Sequence, residues 1–140
     1  MKMFRFMIFP LILVALLTGC VDPLSLIESA RDEIDFTMDS GACRDEQWVV
    51  PGGAEISLRL TNPLNIPQVF IIMARAATPP FDIQDQDRIF FSVPVPPGFT
   101  ETSFTAPAMP SEYQVICGPS DKLEPLGRNR LVVVQSGLER

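Results

Sequence analysis

The chain predicts an all-β fold, an antiparallel sandwich or barrel built from short strands. Three observations lead there. Short runs alternate apolar and polar side chains, or are wholly apolar, with the period of a pleated strand. Turns rich in proline and glycine separate these runs, and fourteen prolines would disrupt helices. No long stretch after residue 32 places apolar side chains at helical spacing.

The elements follow in order. Residues 21–32 read as a tether or a short helix, with Ser25 and Glu28 at capping-box spacing and Leu24, Ile27 and Ala30 on one side. Glu33 to Met38 alternates, with Ile34, Phe36 and Met38 on one face. Gln47 to Val50 is a short strand that stops at Pro51-Gly52-Gly53, a strong turn signal. Glu55 to Thr61 puts Ile56, Leu58 and Leu60 inward and Ser57, Arg59 and Thr61 outward. Val69 to Met73 is fully apolar and reads as a buried strand, as does Ile89 to Val93. Pro94 to Gly98 turns the chain, and Phe99 to Thr105 is rich in Thr and Phe. Glu112 to Cys117 sets Tyr113, Val115 and Cys117 on one side, and Leu131 to Gln135 closes the chain as a β-branched run. The expected core is Ile34, Phe36, Trp48, Ile56, Leu58, Leu60, Phe70, Ile72, Phe91, Phe104, Tyr113, Val115, Leu131 and Val133.

The amino terminus belongs to no strand. Lys2 and Arg5 precede an apolar run from Phe6 to Leu17, and a small-residue site follows, as in a secretory signal. Leu17-Thr18-Gly19-Cys20 resembles the lipobox of bacterial lipoproteins. The resemblance implies a lipid on the Cys20 thiol, cleavage before Cys20, and a mature protein held to a membrane by its acyl chains. The competing reading is an uncleaved anchor helix. The apolar run is shorter than the ~20 residues a spanning helix needs, and Pro10 interrupts it. The expected organisation is a signal over 1–19, a lipidated tether or short helix over 20–32, and one domain over 33–140. Val21, which is not aspartate, follows the cysteine; in enterobacterial lipoproteins that favours the outer membrane over the plasma membrane.

Charge narrows the partners. The chain has eleven Lys and Arg against seventeen Asp and Glu; losing Lys2 and Arg5 with the signal leaves a mature charge of −8. That balance argues against nucleic acid and against electrostatic docking on anionic lipid. Membrane contact is then expected through the lipid on Cys20. Cys43 and Cys117 remain in the mature chain. Outside the cytoplasm such a pair is expected to form a disulfide, worth on the order of 4 kcal/mol for a loop of about 75 residues. A redox-active pair is the alternative, but redox motifs usually space their cysteines closely. The longest connection, Ala74 to Arg88, holds Pro79-Pro80-Phe81 and then Asp82, Asp85 and Asp87. Phe81 offers an apolar anchor for a partner among aspartates, and three carboxylates raise calcium, although the EF-hand pattern is absent. A solvated acidic loop is the plainer reading. Lys122, Arg128 and Arg130 form a weak basic cluster on the loop before the last strand, for which a solvated loop face is the plainer reading, and Met38, Met73 and Met109 read as core filling.

From Trp48 to Val134 the order of signals resembles a cupredoxin domain. The fragments are Val49-Val50-Pro51-Gly52-Gly53, Ile56 to Asn62, Gln68-Val69-Phe70, Val95-Pro96-Pro97-Gly98-Phe99-Thr100, Phe104-Thr105-Ala106-Pro107, Ser111 to Cys117 and Leu131 to Val134. The resemblance implies a Greek-key β-sandwich. It also implies where copper would sit. The first imidazole ligand corresponds to Gln68, the second falls near Lys122, the axial methionine falls near Leu126 or Gly127, and the thiolate is Cys117. Blue copper needs two imidazoles and a thiolate, yet the chain has no histidine. No copper or other cofactor is therefore expected. In this topology the loop carrying Cys43 lies at the metal end, so a Cys43–Cys117 bond would staple that end. Without histidine, Ser-His and Cys-His catalysis is also excluded.

The combined expectation is a lipid-anchored cell-envelope protein with a metal-free cupredoxin-like domain, not an enzyme, acting as a binding or scaffolding module for an envelope protein. The alternative is an envelope redox protein using a degenerate metal site or the Cys43/Cys117 couple. The anchoring claim has a direct check. Cys20→Ala should leave an uncleaved, unlipidated precursor, seen as a mobility shift and loss of acyl-chain labelling. Normal maturation of that variant would refute the lipobox.

Overall fold

A computed structural model describes residues 29–39, 43, 46–76, 83–123 and 129–136, with only the backbone of 83–85. The proposed signal, Cys20, the tether up to residue 28, Phe81, Asp82 and the 124–128 segment lie outside the described residues. Eight strands form two sheets: β1 (Glu33–Thr37), β2 (Gln47–Pro51), β3 (Glu55–Asn62), β4 (Gln68–Met73), β5 (Ile89–Val95), β6 (Gly98–Thr105), β7 (Ser111–Pro119) and β8 (Arg130–Val134). One short 3₁₀ turn, Ile83–Arg88, precedes β5. The first sheet has the order β1-β3-β6 and the second β2-β8-β7-β4-β5.

Every one of the eight expected runs is a strand, with bounds shifted by up to two residues. The pairing is not wholly antiparallel, however. β1 runs parallel to β3, and β2 runs parallel to β8. The reason lies in the path of the chain. Successive strands run in opposite directions, so strands an even number of places apart point the same way. β1 beside β3 and β2 beside β8 must therefore be parallel.

The same path sorts the connections. Those after β1, β3, β5 and β7 gather at one end, because Gln68 faces both Val95 and Pro119 while Asn62 faces Gly98. The connections after β2, β4 and β6 lie at the other end, together with Ser29 before β1 and Gln135 after β8. These are called here the bridged end and the terminus end.

The core sits between the sheets. All fourteen expected core residues belong to one cluster; Phe36, Trp48, Phe91 and Tyr113 are partly buried against it. Alternation explains β3, where Ile56, Leu58, Leu60 and Asn62 are buried. β4 lies between β7 and β5 and is covered on both faces, as its unbroken apolar run requires. Phe70 and Ile72 enter the main core, while Ile71 and Met73 join Ile116 in a second cluster on the other face, against Val69, Ile89 and Leu123.

β5 departs from its expected form. It is an edge strand with alternating exposure, not a buried one, and it continues through Pro94 to Val95. An edge strand tolerates proline because one side needs no donor. Between Ile72 and Met73 the register jumps from Phe91 to Ile89, which makes Phe90 the extra residue of a bulge. The bulge turns Ile89 to the outer cluster and leaves Phe90 40% exposed beside Tyr113, with ring centroids 6.4 Å apart. Met109 does not fill the core either; it is exposed in the connection after β6. Gly98, with φ of 107°, opens β6 at a backbone angle that other residues rarely adopt.

Leu58→Ala should cost about 2–5 kcal/mol, since a wholly buried side chain leaves a cavity between the sheets. Phe99→Ala, at a side chain 61% exposed, should stay within about 0.5 kcal/mol. Denaturant midpoints would measure both, and equal losses would contradict the assignment of the core.

Candidate functional site

The bridged end is built on three buried amides and one disulfide. Gln68 opens β4 and is fully buried. Its Nε2 donates to the Met38 carbonyl at 3.1 Å and to Asn62 Oδ1 at 2.7 Å. Asn62 ends β3 and is also buried. Its Nδ2 donates to the carbonyls of Ile66 at 2.8 Å and Val95 at 2.9 Å, and its Oδ1 accepts from the Leu64 amide at 3.1 Å. These partners fix both amide orientations, because each NH₂ faces two acceptors. Gln68 Oε1 then points where no described group donates to it.

The third amide, Asn129, stands just before β8. Its Nδ2 donates to the Cys43 carbonyl at 2.6 Å, and its Oδ1 accepts from the Glu46 amide at 3.1 Å. Arg130 N donates to the Glu46 carbonyl at 3.0 Å. The connection carrying Cys43 is thereby pinned to the start of β8.

Cys43 and Cys117 form a disulfide, with Cα atoms 5.3 Å apart. That separation lies in the usual range for a bridge. Both residues are buried, at 1% and 5% exposure, so a soluble thiolate cannot reach the sulfurs without local opening. Cys117 faces Phe70 in register, and Pro119 faces Gln68. Gln68 and Cys117 therefore lie diagonally on adjacent strands and share the inner face, as expected.

This donor set does not fit blue copper. The chain supplies no imidazole, the Cys117 sulfur is bonded to Cys43, and Gln68, whose NH₂ is used in hydrogen bonds, leaves only a single amide oxygen, which cannot replace the missing nitrogen and thiolate donors. Among the described residues no three His, Cys, Asp or Glu side chains converge on one point. Met38 and Met73 are buried in separate clusters, one on each face of the second sheet.

The other expected site residues lie elsewhere. Asp87 is exposed near the end of the 3₁₀ turn, in the connection between β4 and β5. Asp85 belongs to the same turn, and Phe81 and Asp82 fall outside the described residues. Ala74 N donates to the Arg88 carbonyl at 2.6 Å and closes the base of that connection at the terminus end. The aspartate loop and the bridged end thus occupy opposite ends of the sandwich. Of the basic residues, Arg128 lies outside the described residues. Arg130 is a β8 residue whose guanidinium pairs with Glu112 at 2.9 Å, so the strand's pleat, not a loop, sets its direction. Lys122 is exposed.

Asn62 and Asn129 are absent from the sequence-based site. Each precedes or follows a turn, where asparagine is common for local reasons. The one usable signal was the position of Asn62 at the end of a clean alternating strand, on its inward face.

No protein-family model matches the chain, and no curated protein matches it. Solved structures do. Reduced auracyanin from the photosynthetic bacterium Roseiflexus castenholzii superposes with a TM-score of 0.55 at 19% identity, covering 75% of this chain and 98% of that one. Auracyanin A, a "blue" copper protein from the green thermophilic photosynthetic bacterium Chloroflexus aurantiacus, gives 0.52 at 22% identity, covering 73% and 98%. The fold is therefore a cupredoxin-like β-sandwich.

Replacing both cysteines by serine should lower stability by about 2–5 kcal/mol, the range for native bridges in small secreted domains. Asn62→Ala should cost at least about 1–3 kcal/mol, because the buried Val95 carbonyl loses its side-chain donor. Chemical denaturation of each variant measures these losses. An unchanged midpoint in either would remove that element from the structural account.

Proposed function

We propose that this chain is a lipid-anchored cell-envelope protein whose cupredoxin-like domain binds no metal and serves as a binding or scaffolding module, not an enzyme. The carrying observation is the buried Cys43–Cys117 bridge. It occupies the thiol that the fold would offer to copper, while Gln68 stands on the same face as a hydrogen-bonded amide. The burial of both sulfurs also speaks against thiol–disulfide exchange as the activity, since exchange needs access to a sulfur.

The anchoring part rests on the lipobox at Leu17 to Cys20, with the outer membrane favoured by Val21. In this reading the terminus end faces the membrane, since Ser29 enters there nine positions after Cys20. The bridged end then faces away. The loop with Phe81, Asp82, Asp85 and Asp87 would meet an envelope partner close to the anchor.

Metal analysis with a thiol count on the purified protein tests this reading. The expected result is no stoichiometric copper, and no thiol that reacts with an aromatic disulfide reagent unless the protein is first unfolded and reduced. Bound copper, or a bridge readily reduced in the native state, would replace this reading with the redox one.

A further inference from the structure

β1 is the outer strand of the first sheet and β2 the outer strand of the second, so two unpaired strand edges lie along one side of the sandwich. Between them is a cleft of about 720 Å³, lined by residues 29–35 and 47–49. Among the described residues one backbone hydrogen bond spans it, from Arg31 N to the Val49 carbonyl at 2.9 Å.

Trp48 supplies its apolar wall and is only partly buried. The indole is held from behind by Phe36, with centroids 5.3 Å apart, and by Phe70 at 5.8 Å. The rim is acidic. Asp32, Glu33 and Asp35 line it with Arg31, and Arg59 of β3 lies across from Asp35 in register. Glu33 is engaged by Arg59, whereas neither Asp32 nor Asp35 has an ion pair among the described residues.

We propose that this cleft is a docking groove for an extended, basic segment of a partner protein. The segment lies along the free strand edges, sets an apolar side chain against Trp48 and brings Lys or Arg to Asp32 and Asp35. Strand edges supply backbone hydrogen bonds to any extended chain, and alternate side chains then give selectivity. Charge decides among occupants. A second copy would bring an equally acidic edge from a chain of net negative charge. Residues 20–28 of the chain itself carry Asp22 and Glu28 and no cation. Both meet like charge at the rim; a basic segment meets opposite charge. The proposal rests on the binding-module reading, but its readout is independent of metal content and of the bridge.

Trp48 is the only tryptophan, so its emission reports on the cleft directly. The purified protein would be titrated with a capped Lys-Val alternating octapeptide and with the Glu-Val octapeptide of the same length. The expected result is a saturable blue shift with the Lys-Val peptide alone. Asp32→Asn combined with Asp35→Asn should weaken its binding about fivefold, the scale of one or two exposed ion pairs. Added salt should weaken it as well. A Lys-Val peptide that gives no saturable shift would overturn the proposal, as would equal binding of the Glu-Val peptide or an unaffected double variant. So would a free protein whose Trp48 is already shielded from acrylamide, at low concentration by residues 20–28 or, with dimers in sedimentation, by a second copy.

Discussion

The amide of Gln68 lies at the junction of three connections. A side chain buried to that degree must satisfy its donors within the protein, because water cannot supply partners without local opening. One proton goes to the carbonyl of Met38, just past β1, and the other to Asn62 at the end of β3. Asn62 extends the link to Ile66 between β3 and β4 and to Val95 at the end of β5. Two side chains thus link both sheets at the bridged end, where backbone pairing joins strands only within each sheet.

The disulfide and Asn129 hold the connection after β1 at a second point. Cys43 is tied by its sulfur to β7 and by its carbonyl to Asn129, which precedes β8. The chain segment after β1 is therefore fixed at Met38 by Gln68 and again at Cys43 by two independent contacts. The remaining polar cost is the Gln68 Oε1 atom, which is buried and accepts nothing from the described residues. An unpaired buried acceptor of this kind costs about 1–3 kcal/mol, which the packing around it must offset.

Much of this was legible from residue order. Ile56, Leu58 and Leu60 declared a one-sided strand, and the unbroken run from Val69 to Met73 declared a strand buried on both faces. Cys43 and Cys117 pair on compartment and count, and the cupredoxin resemblance brings them to one end. What was not legible has physical causes. Alternation cannot foresee the bulge at Phe90, since one inserted residue reverses the facing of everything before it. Sequence runs mark strands but do not reveal neighbours across a sheet, so the parallel pairs β1-β3 and β2-β8 leave no mark in the alternation. Met109 is apolar, yet it stands in a connection between strands with no facing sheet to bury it. Asn62 and Asn129 looked like ordinary turn residues because their roles depend on carbonyls far away in the chain.

The parallel pairing of β1 with β3 also sets how the domain would bear tension. A pull on Ser29 acts along β1, with the five pairings from Glu33–Ser57 to Thr37–Thr61 lying side by side across the line of force. They are loaded in shear and must fail together, whereas a strand peeled from its edge would lose them one at a time. If β1 did slide free, only the short stretch between Thr37 and Cys43 could pay out before the covalent link to β7 stopped it. Mechanical extension from the amino terminus is therefore limited to the residues before Cys43, after which the load passes through the bridge to β7.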